Sequence, residues 1–276
     1  MKRLMAIFAH PDDETFSIGG TLAQSAAEEV EITLVVATRG EEGEIADTVK
    51  AERSNLGEVR EGELNCAAQA LGVERLYLLG YRDSGMEGDA ANDHPQAFIN
   101  APAGEVIVQL VELIRRERPD VVITFEPNGG YGHPDHIAIH RYAKQAFSEA
   151  ADPAAYPDLG EAWQADKLYY TAIPRSFFKE MRNRMIEEGI DTSELDWLDS
   201  DKNHWSEQDI DLIMDVSDSV DDKWAALECH ATQFGPDHLF RKLPNEVSKS
   251  LLAREYLALA WPEKERVGKL NALFEG

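Results

Sequence analysis

Two short stretches concentrate the side chains that can do chemistry: AHPDDE, Ala9 to Glu14, and GGYGHPDH, Gly129 to His136. Two imidazoles and one carboxylate, with a position left for water, are the ligand set of a catalytic zinc and also of a non-haem iron(II). The spacing in HPDD lets His10 and Asp13 face one way across a single turn, so both can hold one ion, with a third ligand from the second stretch. His133 and His136 do not both fit beside those two if a coordination position is to stay open, so one of them is left for acid or oxyanion work. Asp12 must then point elsewhere. A carboxylate beside a metal-bound water, but not ligating, is placed to be the general base as water attacks a carbonyl. Asp135 beside a histidine would fix its tautomer and favour its protonated form, so that His133 could polarise an oxyanion or protonate a leaving amine. Each stretch alone also reads as an ordinary turn, since Pro restricts the backbone and Asp caps helices. It is their joint occurrence, each after a strand-like run, that points to a metal site.

The elements that must position these turns follow a strand and helix alternation. Lys2 to Ala9 and Glu31 to Thr38 (EITLVVAT) read as strands, with a helix over Thr15 to Ala27 between them. The spacing predicts a helix, or two joined near Gly57, over Thr48 to Leu71, a strand over Glu74 to Leu79, a helix over Val106 to Arg118 and a strand over Asp120 to Phe125. A helix from about Ile137 to Glu149, a strand over Lys167 to Pro174 and an edge or late strand within DIDLIMDVS follow. Val220 to Thr232 and Val247 to Ala260 have amphipathic spacing. This order predicts an α/β fold, a Rossmann-like, doubly wound, mostly parallel sheet with helices on both faces and a smaller C-terminal extension. Ligands of such sheets sit at the carboxyl ends of the strands, where both turns would meet if their strands are neighbours.

The chain has 276 residues, 43% of them hydrophobic, enough to bury one sizeable core. A formal net charge of −25 argues against nucleic acid or an anionic membrane as partner, because either is repelled before contact forms. A small neutral or cationic substrate fits better, and a homo-oligomer is left open. No run is long enough to span a bilayer, and Met1 to Ala9 is too short and its sequel too acidic for a signal peptide, so a cytoplasmic protein is expected. Cys66 and Cys229 stand far apart without metal-type spacing and read as reduced, buried thiols. Asp191 to Asp222 holds twelve acids against one lysine, Lys202, and reads as a solvated face or a mobile lid.

At AHPDDE and HPDH the chain resembles the LmbE-like, PIG-L-type family of metal-dependent N-deacetylases. GEEGE (Gly40 to Glu44), REGEL (Arg60 to Leu64), YRDSGM (Tyr81 to Met86) and GGYGHPDH are similar to its mycothiol branch, the N-acetylglucosaminyl-inositol deacetylase and the mycothiol-conjugate amidase. The resemblance implies that His10, Asp13 and His136 bind zinc, with iron(II) as an alternative. It further implies that Asp12 is the base, that His133 oriented by Asp135 is the acid or oxyanion stabiliser, and that Tyr131 donates to the oxyanion. Glu44, Arg60 and Asp83 would hold sugar or inositol hydroxyls. The expected protein is a single deacetylase domain, residues 1–150 carrying the core and metal site and 151–276 closing the fold and shaping the pocket. Its expected reaction is hydrolysis of an N-acetyl group on an amino-sugar substrate. Cleavage of thiol S-conjugates of a mycothiol- or bacillithiol-like compound and iron(II) oxygen chemistry are the competing readings.

Overall fold

The computed structural model describes residues 1–199, 205–262, 270 and 272–275. Strands β1 (Arg3–Phe8), β2 (Glu31–Thr38), β3 (Arg75–Tyr81), β4 (Val121–Phe125), β5 (Lys167–Thr171), β6 (Leu212–Asp215) and β7 (Arg254–Trp261) form one sheet in the order β3-β2-β1-β4-β5-β7-β6. The first five are parallel; β7 runs antiparallel to both β5 and β6. Helices α1 (Asp13–Ala27), α2 (Leu56–Ala70), α3 (Ala103–Glu117), the single turn α4 (Gly129–Gly132) and α5 (Pro134–Ala151) alternate with the parallel strands. The later helices are α6 (Arg175–Glu187), α7 (Val220–Cys229), the short α8 (Leu239–Lys242) and α9 (Asn245–Leu252).

The central strands are buried on both faces, which is why β1, β2 and β4 read as unbroken apolar runs rather than alternating ones. Helix α3 turns Val106, Ile107, Leu110, Val111 and Ile114 to the core and ends where Arg118 takes a left-handed conformation before Pro119. After β1 the chain winds to β2 and β3 on one side, and the crossover through α3 returns it to β4 on the other. Strand β1 therefore has β2 and β4 as neighbours, and the sheet reverses direction of winding between β1 and β4. A crevice opens at the carboxyl ends of such a pair. Both chemically loaded turns leave from this point.

Several sequence expectations need correction. Residues 48–55 are irregular, with no helix, and α2 begins only at Leu56. The helix expected over Val247–Ala260 is instead α9 followed by β7. Its Leu, Ala and Glu residues favour a helix intrinsically, but the slot between β5 and β6 pairs the backbone of this run as a strand. That placement also buries Glu255, whose Oε1 accepts from Lys223 Nζ at 2.7 Å and whose two oxygens accept from Gly20 and Thr21 N–H at 2.8 Å. The helix over Val220–Thr232 ends at Cys229, and α6 had no counterpart in the expected elements. The acidic segment is not one solvated run, because it supplies β6, the first turn of α7 and the buried Leu195; its residues 200–204 lie outside the described ones.

The cysteines are not separate buried thiols. Cys66 and Cys229 form a disulfide with Cα atoms 5.7 Å apart, Cys66 exposed and Cys229 half-buried. Helices α2 and α7 pack side by side, and this closes a separation of 163 residues that spacing along the chain could not reveal.

Candidate active site

The turn after β1 places His10, Asp12 and Asp13 at the mouth of the crevice, and the turn after β4 places His133, Asp135 and His136 opposite. Asp13 opens α1, with its Oδ2 accepting from the His10 N–H at 2.7 Å. Pro134 stands at the first position of α5, where a missing N–H costs nothing, and His133 is the N-cap, its Nδ1 accepting from the Asp135 N–H at 3.2 Å. Helix α5 then turns His136 and Asp135 inward, both buried. The His136 ring stacks on Phe125 at the end of β4, centroids 4.0 Å apart and planes 10° from parallel.

The contacts of the two inner rings fix their tautomers. His136 Nδ1 lies 3.1 Å from the Gly129 carbonyl, which can only accept, so that nitrogen carries the proton and Nε2 presents a lone pair. His10 Nε2 lies 2.8 Å from Asp83 Oδ1 and 3.2 Å from Asp135 Oδ2, so it is Nε2 that is protonated and Nδ1 that presents a lone pair. These two lone pairs face each other at 3.1 Å. Asp13 closes the triangle, Oδ1 3.2 Å from His136 Nε2 and Oδ2 3.6 Å from His10 Nδ1. Ligand atoms about 2.0 to 2.1 Å from a tetrahedral ion are roughly 3.3 Å from one another, so the two ring nitrogens, with one Asp13 oxygen near each, stand close to the separations one shared cation imposes. Without a cation these groups need a proton between them, and His10 is disposed to hold one: although burial opposes it, the charge of Asp83 and the contacts with Asp135 raise its pKa well above the ordinary value. His10, Asp13 and His136 can therefore hold a metal ion, and the acceptors behind the rings are those that metal-bound histidines ordinarily use.

His133 also lies within ligand reach of His10 and His136, and His10, Asp83 and Asp135 form a second cluster. The second cluster uses the protonated nitrogen of His10 and so reads as its hydrogen-bonding support. His133 has Nδ1 engaged by a backbone N–H, which leaves an Nε2–H donor in its neutral form. Burial and the neighbouring His10 and His136 rings push its pKa down to about 4.

Asp12 stands apart from the three. Its backbone is left-handed, with φ 100°, and its Oδ2 lies 3.3 Å from Arg60 Nη2. Burial raises its pKa to about 6, the pull of Arg60 and His230 notwithstanding, and the charges of Asp13 and Glu14 push the same way. Asp13 moves oppositely: although burial opposes it, the His136 and His10 rings hold it at about 2. Two adjacent carboxylates thus differ in proton affinity, one poised to exchange a proton near neutrality and one held ionised.

Residues 5–147 match the sequence pattern of the PIG-L family, described as GlcNAc-PI de-N-acetylase. The chain belongs to the PIG-L family. The 1D-myo-inositol 2-acetamido-2-deoxy-alpha-D-glucopyranoside deacetylase of Geodermatophilus obscurus is 40% identical to it over 274 residues, covering 95% of this chain and 93% of the relative. The enzyme of the same name from Rhodococcus erythropolis is 41% identical over 276 residues, covering 94% and 91%. Among solved structures, the N,N'-diacetylchitobiose deacetylase of Pyrococcus horikoshii superposes with a TM-score of 0.65 at 20% identity over 94% of this chain and 83% of that one, a likeness of fold.

Within this PIG-L chain the remaining expected residues fall into two groups. Asp135 does not bond the His133 ring; its Oδ2 serves His10 and accepts from Ser84 N–H at 2.9 Å, and its buried Oδ1 has no hydrogen-bond partner. Asp83 likewise lies behind His10, with Oδ2 accepting from Glu42 N–H at 2.9 Å. Arg60 is only 3% exposed and spends its donors on the Gly40 and Pro11 carbonyls, at 2.9 and 2.5 Å, and on Asp12. Tyr131 is 70% exposed, its ring 5.0 Å from that of His136, so it overhangs the crevice. Glu44 is exposed on the loop after β2, where its carbonyl accepts from Gln233. Two buried carboxylates escaped the sequence reading. Glu126, just after β4, accepts from Asn128 N–H at 2.8 Å and Gly130 N–H at 2.7 Å, which shapes the loop that carries Tyr131. Glu63 on α2 accepts from Thr232 N–H and Oγ1–H at 2.8 and 2.6 Å. An acid directly after a strand was the available signal for Glu126; for Glu63 it was its place in REGEL.

Proposed function

We propose that this chain removes the acetyl group from the amino-sugar nitrogen of an N-acetylglucosaminyl inositol, by metal-assisted hydrolysis with Asp12 as general base. The observation that carries this reading is the facing of His10 Nδ1 and His136 Nε2 across from Asp13, a cation site beside a carboxylate tuned to about 6. The substrate class is supported by relatives about 40% identical over nearly the whole chain that bear that activity in their names. We read the chain as one deacetylase domain in which residues 151–276 complete the sheet begun by residues 1–150.

Zinc is the proposed metal, on a two-imidazole, one-carboxylate donor set. Bound there, it supplies a Lewis acid that polarises the amide carbonyl and makes a water easier to deprotonate. The residues do the rest. Asp12 takes the proton from water as its oxygen attacks the carbonyl carbon, and Arg60 orients its carboxylate. The charge that develops on the carbonyl oxygen is met by donors, His133 Nε2–H and the Tyr131 hydroxyl, once Tyr131 leans inward. With a pKa of about 4, His133 is neutral at pH 7 and serves as a donor rather than as an acid. The proton needed by the departing amine therefore returns from Asp12 as the C–N bond breaks, giving acetate and a free amine. Asp83 and Asp135 hold His10 in its ligating tautomer, while Glu44 lies where hydroxyls of a bound sugar would emerge.

The test is amine release from a panel of N-acetylglucosaminyl substrates, with and without chelator and under anaerobic conditions. Chelator-sensitive release that does not need oxygen supports the reading. Release unaffected by complete metal removal overturns it.

A further inference from the structure

The conformation of Asp12 points to a residue beyond the two catalytic turns. An L residue with φ near 100° persists only where its surroundings hold it. The Asp12 carbonyl is fixed by Thr15 and Phe16 N–H, both at 3.0 Å, and its carboxylate by Arg60. Its own N–H donates to Glu14 Oε2 at 3.0 Å. Glu14 is 0% exposed, and its other oxygen receives the Thr15 hydroxyl at 2.5 Å and His230 Nε2 at 2.8 Å. A buried carboxylate is costly where its oxygens lack donors, so the direction in which Glu14 presents Oε2 to the Asp12 N–H depends on what holds its Oε1. His230, also 0% exposed, holds that oxygen from outside the turn, whereas Thr15 belongs to the turn itself.

The peptide that carries His230 is itself held firmly. It leaves α7 with His230 N–H on the Leu227 carbonyl, while its own carbonyl accepts from Gln233 and Phe234. Cys229 before it is bonded to Cys66 on α2, and Thr232 after it is bonded to Glu63 on α2. The same α2 carries Arg60. Backbone and carboxylate of Asp12 are therefore referenced to one helix, the carboxylate through Arg60 and the N–H through Glu14 and His230.

We propose that His230, acting through Glu14, is a positioning residue for Asp12, supplied by the C-terminal half of the chain. The inference rests on the reading of Asp12 as general base. It is tested with His230→Ala, His230→Asn and His230→Gln in the full chain and with His230→Ala in an Asp12→Asn background, measuring kcat, KM, bound metal per chain and thermal unfolding. A displaced base of this kind costs on the order of 100-fold in rate. The expected result is that loss in kcat for His230→Ala, with KM and bound metal within about twofold of the parent by the same principle of acting only on geometry. His230→Gln, whose amide can still donate to Glu14, recovers most of the rate, whereas His230→Asn, too short to reach, does not; these two variants decide the matter if the alanine chain fails to fold. In the Asp12→Asn background, His230→Ala leaves the residual rate unchanged, because residues that act through one group are non-additive. A folded His230 variant with the parent's kcat overturns the proposal, as does a further large loss in the Asp12→Asn background. Near-normal turnover by Asp12→Asn alone removes the base assignment itself, a result separable from the others.

Discussion

His10 Nδ1 and His136 Nε2 stand 3.1 Å apart, each ring having turned its other nitrogen to acceptors, the Asp135 carboxylate with Asp83 beside it and the Gly129 carbonyl respectively. Two lone pairs aimed at one point make sense around a cation. The fold brings them there because β1 and β4 are adjacent at the reversal of the sheet, so turns more than a hundred residues apart in sequence share one crevice.

That relationship gives Asp83 a task different from holding substrate hydroxyls. If Asp83 fixes the His10 tautomer, Asp83→Asn weakens metal affinity by about 10 to 100-fold, the usual effect of losing such a support. Competition against a chromophoric chelator measures it. An unchanged affinity with a raised KM would return Asp83 to the substrate.

The pH profile follows from Asp12. A base must be ionised to accept, so kcat/KM rises with pH, levels off above the Asp12 pKa, and falls tenfold per unit below it. With that pKa at about 6, and with a nearby cation able only to lower it, the acid limb lies at or below pH 6. Arg60 pulls the pKa down, so Arg60→Ala moves the limb upward. A limb in Arg60→Ala that stays put or moves down contradicts the assignment.

His133 is expected to act as a neutral donor. His133→Ala then lowers kcat on the order of 100-fold, as loss of an oxyanion donor does, without removing metal. Because its pKa is pushed down to about 4, it contributes no basic limb to the profile between pH 6 and 8. Metal analysis of the variant beside its rate separates this role from that of a ligand.

The Cys66–Cys229 link between α2 and α7 predicts a protein without free thiols as isolated. Such a bond stabilises by about 2 to 4 kcal/mol, chiefly by restricting the unfolded chain, so Cys66→Ser and reduced parent should unfold at similarly lower urea concentrations than the oxidised protein. Thiol titration in denaturant and the two unfolding curves test this. Two free thiols and a Cys66→Ser chain of parental stability would be the contrary finding.

Much of the fold was legible because the buried parallel strands are apolar throughout. EITLVVAT and the run from Val121 to Phe125 have no other comfortable place than a sheet covered on both faces. The ligand turns were legible because their residues are adjacent in sequence. What could not be read depends on contacts across the chain. Residues 254–261 carry helix-favouring side chains and become a strand only because β5 and β6 flank them. Asp135 is next to His136 and two residues from His133, yet its carboxylate turns to His10, a choice that only the crossing of two turns decides. The same holds for His230 on Glu14, 216 residues apart.

The most direct test of the central claim is the turnover of Asp12→Ala on the N-acetylglucosaminyl inositol, with bound zinc quantified in the same preparation. The account predicts parental metal content with release of the amine slowed by about 10² to 10⁴-fold, the contribution of a positioned base. Near-parental release with metal bound would contradict it.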